Sequence, residues 1–233
     1  MARRKGPQAD QAYRYVLDKI LSFGILPGQT ISDSAISVEL GMSREPVREA
    51  FMRLEADGLI ERAASCVKCA ELSLDDIKEI CRLRYVFESL AVEIIKENGG
   101  LTQEQKSKLT EVYEHLSSEQ QNVSEDFHQR YYWDNCFHYT IVESSQNKRL
   151  VRMFQQMQLQ ITRVRWLTIL SPRHNQANLE HKKIYEALVA GDDSLALKLV
   201  RAHLKKSEEN FVRILNSPEY RIVHVGTSIL NID

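Results

Sequence analysis

The chain is built mainly from segments in which hydrophobic residues recur with helical spacing. In residues 12–23 the apolar side chains stand at positions 13, 16, 17, 20 and 21, which places them largely on one face of a helix. Short helices are predicted over residues 32–40 and 43–56, each with a serine that can cap its first turn. Two short β-strands are predicted over residues 59–62 and 67–72.

From residue 73 onwards the pattern is helical almost without interruption. Thr102 and Gln105 form a capping box at the start of one helix, and Gly191-Asp192 marks the turn between the last two. The tail after Pro218 offers only a candidate strand at residues 221–225. The predicted helices of this half cover about residues 74–97, 102–119, 125–143, 148–170, 175–190 and 194–215.

The N-terminal order of helix, tight turn, helix and two-stranded hairpin is typical of a winged helix-turn-helix. The second helix of such a unit lies in the major groove of DNA and reads bases with its N-terminal residues. Here those residues are Ser43, Arg44 and Arg48, and the two arginines share a face because they lie four positions apart. Arginine binds guanine or phosphate, although two arginines alone would also suit a solvated helix face.

Composition and charge limit the function classes without selecting a partner. The 233 residues carry 31 Lys and Arg against 32 Asp and Glu, and 43% are hydrophobic, which predicts a folded chain rather than a disordered one. No apolar run approaches a membrane span and the N-terminus lacks a signal-peptide pattern. Four cysteines are too few for a disulfide scaffold, and Cys66 and Cys69 lack further ligands for a zinc set. The cytoplasm is therefore the expected location.

Four polar residues interrupt the apolar stripes of the helical half. Asp134 and His138 lie one turn apart on the predicted inward face of one helix. His181 and His203 each lie eleven residues from Asp192, so an antiparallel hairpin centred there places them at the same height. One aspartate and three histidines that converge in a helical core would form a divalent-metal site. Taken singly, each histidine would equally suit a hydrogen-bonded position in the core or at the surface.

Three strings of the N-terminal half form a recognisable motif set. They are Leu26-Pro27-Gly28, Leu40-Gly41-Met42-Ser43-Arg44-Glu45-Pro46-Val47-Arg48-Glu49-Ala50-Phe51 and Arg53-Leu54-Glu55-Ala56-Asp57-Gly58-Leu59-Ile60. These strings resemble those of the GntR family of bacterial transcription regulators. The resemblance covers about residues 11–72 and implies a winged helix that binds double-stranded operator DNA through Ser43, Arg44 and Arg48. Two places depart from the family pattern: the wing tip at residues 63–66 lacks the usual glycine, and Ser34 stands where many members have a basic residue.

The helical half contains a second set of motifs. They are Glu79-Ile80-Cys81-Arg82-Leu83-Arg84-Tyr85-Val86-Phe87-Glu88, Asp134-Asn135-Cys136-Phe137-His138, Asn147, Glu180-His181-Lys182 and Arg201-Ala202-His203-Leu204. These motifs resemble the FCD effector domain of the FadR-type branch of this family, over about residues 73–215. The resemblance implies that Asp134, His138, His181 and His203 bind a divalent metal ion, with zinc or nickel as the first candidates. It also implies a homodimer and a small carboxylic-acid effector that places an oxygen on the metal.

Two arginines are candidate ligands for the carboxylate of that effector. Arg84 matches an arginine of the family motif and could hold a carboxylate through two hydrogen bonds; the alternative is an ion pair with Glu88, four residues on. Arg165 lies near the apolar stripe of its helix, and we therefore rank it above Arg163.

The expected fold is mainly α, with a winged helix-turn-helix DNA-binding domain in residues 1–72 and an all-α, FCD-like bundle in residues 73–216 for effector binding and dimerisation. Residues 217–233 form a tail of unknown structure. The expected function is that of a ligand-responsive transcription regulator, with repression as the commoner family mode, and no membrane association. Two alternatives stay open: a regulator that senses the metal itself, and a metal-dependent hydrolase.

Overall fold

In the computed structural model the chain divides into two compact units, Met1–Ser73 and Leu74–Asp233. The structure describes residues 6–63, 66–121, 127–166 and 174–217. The candidate strand at 221–225, with the rest of the tail from residue 218, lies outside the described residues, as does the predicted end of one helix at 167–170. None of the described helices combines the length and the apolar character that a membrane span requires.

The described part of the first unit holds three helices and a small sheet. The helices are α1 (Pro7–Leu21), α2 (Asp33–Glu39) and α3 (Arg44–Ala56), and the strands are β1 (Thr30–Ile31), β2 (Ile60–Arg62) and β3 (Val67–Cys69). The sheet is antiparallel in the order β1-β3-β2. Val16, Ile20, Phe51, Leu54 and Leu59 are fully buried in this unit. This arrangement of helices and hairpin is the winged helix-turn-helix that the sequence predicts.

The first unit differs from the sequence prediction at three points. Helix α1 begins five residues earlier than the apolar pattern indicates, because Pro7 occupies its first turn, where a missing N–H costs least. The short strand β1 was not predicted. Ser32 caps α2 by accepting a hydrogen bond from the Ala35 amide, but Ser43, although it is the N-cap residue of α3, makes no side-chain capping bond. The prediction that the Ser43 side chain caps α3 is therefore wrong.

The described part of the second unit is entirely helical. Helix α4 packs against α6, α7 and α9, while α5 packs on α6 and α8. Its core includes Val92, Leu116, Phe137, Leu188 and Val200, which come from five different helices. The helices are α4 (Leu74–Glu97), α5 (Gln103–Gln121), α6 (Phe127–Ser144), α7 (Lys148–Trp166), α8 (His174–Ala190) and α9 (Asp193–Leu215).

The turn between α8 and α9 sets the register of the two helices that carry His181 and His203. Gly191 has a φ of 80°, which a residue without a Cβ adopts most readily. The next residue, Asp192, caps α9 by accepting a hydrogen bond from the Leu195 amide. This tight turn makes α8 and α9 an antiparallel pair, as the spacing of the two histidines requires.

Candidate metal centre and DNA-reading helix

Three histidines from three helices converge inside the second unit. His138 of α6, His181 of α8 and His203 of α9 are all buried. The Nε2 atom of His181 lies 3.2 Å from Nε2 of His138 and 3.3 Å from Nε2 of His203. These three residues form the group of potential metal ligands among the described residues whose ligand atoms all lie within 4.8 Å of one another. We call this group the histidine triad.

Two carboxylates orient rings of the triad by contacting Nδ1, the ring nitrogen that points away from the centre. His138 Nδ1 lies 2.6 Å from Glu88 Oε2, and His203 Nδ1 lies 2.8 Å from Glu180 Oε2. Because a carboxylate accepts a hydrogen bond, each Nδ1 carries the proton and each Nε2 presents its lone pair to the centre. Sequence reasoning gave neither glutamate this role. The signal for Glu88 was its position on the buried stripe of α4, where a charged residue needs a partner.

The triad fits a divalent metal in its charge state and in its spacing. Burial lowers the pKa of all three imidazoles, that of His181 to about 3, so they are neutral at pH 7. A tetrahedral zinc site with Zn–N bonds of about 2.1 Å would separate its nitrogens by about 3.4 Å, close to the spacing found here. Nδ1 of His181 is buried without a hydrogen-bond partner within the described residues.

Asp134 lies beside the triad but is turned towards an arginine. Its Oδ1 atom is 3.5 Å from Nε2 of His181, and its Oδ2 atom is 2.7 Å from Nη1 of Arg165. Burial opposes ionisation of this carboxyl, but the guanidinium groups of Arg165 and Arg84 outweigh it and hold the pKa of Asp134 well below its ordinary value. Asp134 therefore supplies a full negative charge next to the histidines.

Arg84 is the second buried cation at this centre. Its Nε atom donates to Glu88 Oε1 at 2.7 Å, the ion pair that the sequence offered as the alternative to effector binding. Its Nη2 atom lies 3.0 Å from Nε2 of His138 and donates towards the lone pair that a metal ion would use. Arg84 thus contacts both Glu88, the carboxylate that supports His138, and the Nε2 atom of His138 itself.

The other effector candidate, Arg165, is buried and also contacts the side chain of Asn135. Arg163, which ranked lower, is buried as well. Burial therefore does not distinguish Arg165 from Arg163 as a candidate effector ligand. The ion pair with Asp134, however, connects Arg165 directly to the candidate metal centre. The centre as a whole combines neutral imidazoles with paired arginines and carboxylates, a chemistry suited to a metal ion and an anionic ligand.

In the first unit, the N-terminus of α3 presents the predicted DNA-reading residues. Ser43 is exposed, and the side chains of Arg44 and Arg48 are 52% and 61% exposed. Both arginines bind Asp33 at the start of α2, Arg44 through Nη2 at 2.6 Å and Arg48 through Nε at 2.7 Å. This partner was not recognised in the sequence, because it comes from a different helix.

A groove of about 1120 Å³ is lined by residues of β1, of the start of α2, of α3 and of the hairpin of β2 and β3. Asp33, Arg48 and Arg62 line it, and Arg62 pairs with Glu55 at 2.7 Å. The wing tip at residues 64–65 lies outside the described part of the chain. Cys66, which precedes β3, and Cys69, the last residue of β3, are not joined by a disulfide bond.

Comparison with known proteins places both units in one family. The profile of the bacterial regulatory proteins of the gntR family matches residues 8–64, and the profile of the FCD domain matches residues 79–206. The HTH-type transcriptional regulator McbR of Escherichia coli (strain K12) is 32% identical over 173 residues, which cover 73% of this chain and 76% of McbR. The HTH-type transcriptional regulator YdhC of Bacillus subtilis (strain 168) is 26% identical over 207 residues, covering 88% and 91% of the two chains.

A solved structure of E. coli McbR/YncC has the same fold. Its TM-score is 0.72 with 21% sequence identity, and the match covers 91% of this chain and all of the other. These relatives are transcription regulators rather than enzymes, which excludes the hydrolase that the metal ligands alone would allow. The chain belongs to the GntR family of DNA-binding transcription regulators, in the branch that carries an FCD domain.

Proposed function

We propose that this protein is a repressor that binds operator DNA as a homodimer and responds to a small carboxylic acid bound at a metal ion in its FCD domain. The histidine triad carries this proposal, because three buried, neutral imidazoles that point their Nε2 atoms at one place suit a metal ion. Repression is supported by two relatives that are named as repressors, in Paenarthrobacter nicotinovorans and in E. coli.

The proposed metal ligands are His138, His181, His203 and Asp134. Histidine nitrogens with a carboxylate oxygen suit zinc or nickel, and the set does not favour one of them strongly. When bound, the ion supplies an electrophilic centre that attracts the carboxylate oxygen of the effector. Glu88 and Glu180 hold two of the rings in the tautomer that binds metal.

Arg84 and Arg165 are the proposed effector-binding side chains. Both are buried guanidinium groups at the triad, and a planar guanidinium can bind a carboxylate through two parallel hydrogen bonds. Their present partners, Glu88 and Asp134, would then share them with the effector. Effector binding can change DNA affinity only if the effector binds one arrangement of the protein more tightly than the other.

We assign DNA reading to residues 1–72, with Ser43, Arg44 and Arg48 on α3, and effector binding and dimerisation to residues 73–216. An exposed apolar stripe on α4 supports the dimer: Leu83, Val86 and Leu90 follow a helical spacing and are 46%, 54% and 39% exposed. A two-fold dimer presents two α3 helices to a pseudo-palindromic operator. Since its target is chromosomal DNA, we place the protein in the cytoplasm.

Native mass spectrometry on the untagged full-length protein, purified without chelator, tests the proposal. We expect a dimer with one metal ion per chain and a small acidic adduct. His203→Ala is expected to lose the metal, whereas His115→Ala, at an exposed histidine stacked on Trp133, keeps it. A protein that takes up no metal even after zinc or nickel is added would overturn the metal-based effector site.

A second candidate function is direct sensing of the metal. The observation in its favour is that Arg84 and Arg165 already have acidic partners, so the site does not require an effector carboxylate to balance their charge. A sensed metal exchanges readily, and its binding alone changes the affinity of the protein for the operator. A resident metal survives dialysis, and the operator affinity then changes only when the effector binds. Operator affinity measured with and without added zinc separates the two.

A further inference from the structure

Asp33 occupies a special position on the DNA-reading face. It begins α2, and each of its carboxylate oxygens accepts a hydrogen bond from a different arginine of α3. These hydrogen bonds from Arg44 and Arg48 hold the pKa of Asp33 below its ordinary value, so that the residue is fully ionised. Its side chain is only 19% exposed, much less than those of the two arginines that cover it.

We propose that Asp33 is a specificity-determining residue, which positions Arg44 and Arg48 for base reading and restrains them from binding phosphate at any sequence. This inference rests on the proposed DNA-reading role of α3. Asp33 acts through the two arginines and not by touching the bases itself.

The hydrogen-bonding capacity of arginine allows both contacts at once. A guanidinium group has five N–H donors. Arg48 uses Nε for Asp33, so both of its terminal nitrogens are available, and Arg44 uses one terminal nitrogen and keeps its others. A guanine accepts two hydrogen bonds from one arginine through its O6 and N7 atoms. An arginine anchored by Asp33 can therefore still read a guanine, and its direction is already fixed before DNA arrives.

Charge provides the second part of the argument. Without Asp33 the two arginines would present two positive charges to the phosphate backbone, and with it they present one. Attraction to phosphate is independent of sequence and supplies most of the non-specific affinity of DNA-binding proteins. A carboxylate at this point therefore weakens binding to unrelated DNA, while prepositioned arginines lose less side-chain freedom at the correct bases.

Stability of the fold does not explain this arrangement. Ion pairs between exposed side chains contribute little to stability, because water and salt screen them and both side chains lose freedom. Arg44 and Arg48 are more than half exposed. The pairing is thus better explained by the ligand that this face meets than by the packing of α2 against α3.

The test compares the full-length wild-type protein with Asp33→Asn, which keeps the shape of the side chain and removes its charge. A duplex selected by the wild type from a random-sequence library serves as the specific site, and a scrambled duplex of equal length serves as the non-specific one. We expect Asp33→Asn to bind the scrambled duplex several-fold more tightly and with a steeper salt dependence. We expect the ratio of specific to non-specific affinity to fall about tenfold, within the discrimination of one arginine–guanine contact.

Glu39→Gln is the matched control, because it removes the same charge from the exposed end of the same helix, where Glu39 pairs with Tyr15 and Lys19. It should leave the affinity ratio unchanged. The inference is overturned if Asp33→Asn strengthens both complexes equally, if it changes neither, or if Glu39→Gln lowers the ratio as much. Arg44→Ala tests the DNA-reading role of α3 separately. Unchanged affinity of this variant for the selected duplex would contradict that role, independently of the result for Asp33→Asn.

Discussion

His181 is held differently from the other two histidines of the triad. His138 and His203 each donate from Nδ1 to a glutamate, whereas Nδ1 of His181 has no hydrogen-bond partner in the part of the chain that the structure describes. The ring of His181 packs instead against Phe137, with 5.2 Å between ring centroids. Carboxylate support for the triad therefore comes from two side chains, Glu88 and Glu180, and each should matter for metal affinity.

Glu180→Gln is expected to weaken zinc binding by about 10- to 100-fold, as loss of a carboxylate behind a ligating histidine does in other metal sites. Glutamine keeps an oxygen acceptor for Nδ1 of His203 but loses the charge that makes the ring a stronger ligand. Competition with a chromophoric chelator measures the change. Glu186→Gln on the same helix is the control, since Glu186 is exposed and forms an ion pair with Lys182 at 3.8 Å, away from the triad. Equal affinities of Glu180→Gln and the wild type would contradict the role of Glu180.

At the residue scale, the sequence predicted that the three histidines meet, but not all of the contacts around them. Helical spacing and the turn at Asp192 placed His138, His181 and His203 on inward stripes, and the structure brings them together. Helical spacing could not show that Asp134 turns towards Arg165, because that contact joins α6 to α7. The period of a helix defines a direction around its own axis and contains no information on the neighbouring helix. Membership of all four residues in a metal site stays a prediction.

The start of α5 shows how local chemistry defines an element. The Thr102 amide donates to Gln105 Oε1 at 2.9 Å, and the Gln105 amide donates to Thr102 Oγ1 at 3.2 Å, which confirms the predicted capping box. Gln105 Nε2 also donates to the Ser144 carbonyl at 2.9 Å. The same side chain therefore caps α5 and ties it to the end of α6.

Thr102→Ala is expected to lower the free energy of unfolding by about 1 kcal/mol, because the Gln105 amide loses its capping acceptor. Urea denaturation followed by circular dichroism measures the change. Ser107→Ala in the same helix should be neutral or slightly stabilising, since the Ser107 hydroxyl only bonds back to the Gln103 carbonyl and alanine favours a helix. A loss as large in Ser107→Ala as in Thr102→Ala would show that capping does not account for the effect.

At the element scale, long periodic segments were predictable and short pairings were not. Helix α4 begins and ends where its apolar pattern and its flanking residues indicate, because twenty-four residues give many turns to detect. Strand β1 has two residues, too few for an alternating pattern, and exists through its pairing with β3. The N-terminal end of α1 was missed because its first turn holds a single small apolar residue, Ala9, among Pro7, Gln8 and Asp10.

For the whole molecule, the exposed stripe on α4 is the feature that most directly concerns assembly. Leu83, Val86 and Leu90 are apolar, helically spaced and substantially exposed. Complete burial of a side chain of this size contributes about 1.5–3 kcal/mol. These three side chains are already about half buried, so each gains about half of that, and a two-fold interface buries each residue twice. Joining two DNA-reading units also raises operator affinity, because the second unit binds at a high effective concentration.

Val86→Glu is therefore expected to shift the full-length protein from the proposed dimer to a monomer, since a two-fold interface would bring two unpaired carboxylates into an apolar contact. Sedimentation equilibrium measures the change in mass. Loss of the dimer should also weaken binding to a selected operator by about 100-fold or more, as expected when two linked sites become one. Val38→Glu places the same charge at an exposed valine of the first unit and should leave the protein dimeric. A Val86→Glu protein that stays dimeric at nanomolar concentration would show that the α4 stripe lies outside the interface, and the dimer would then have to form through another surface.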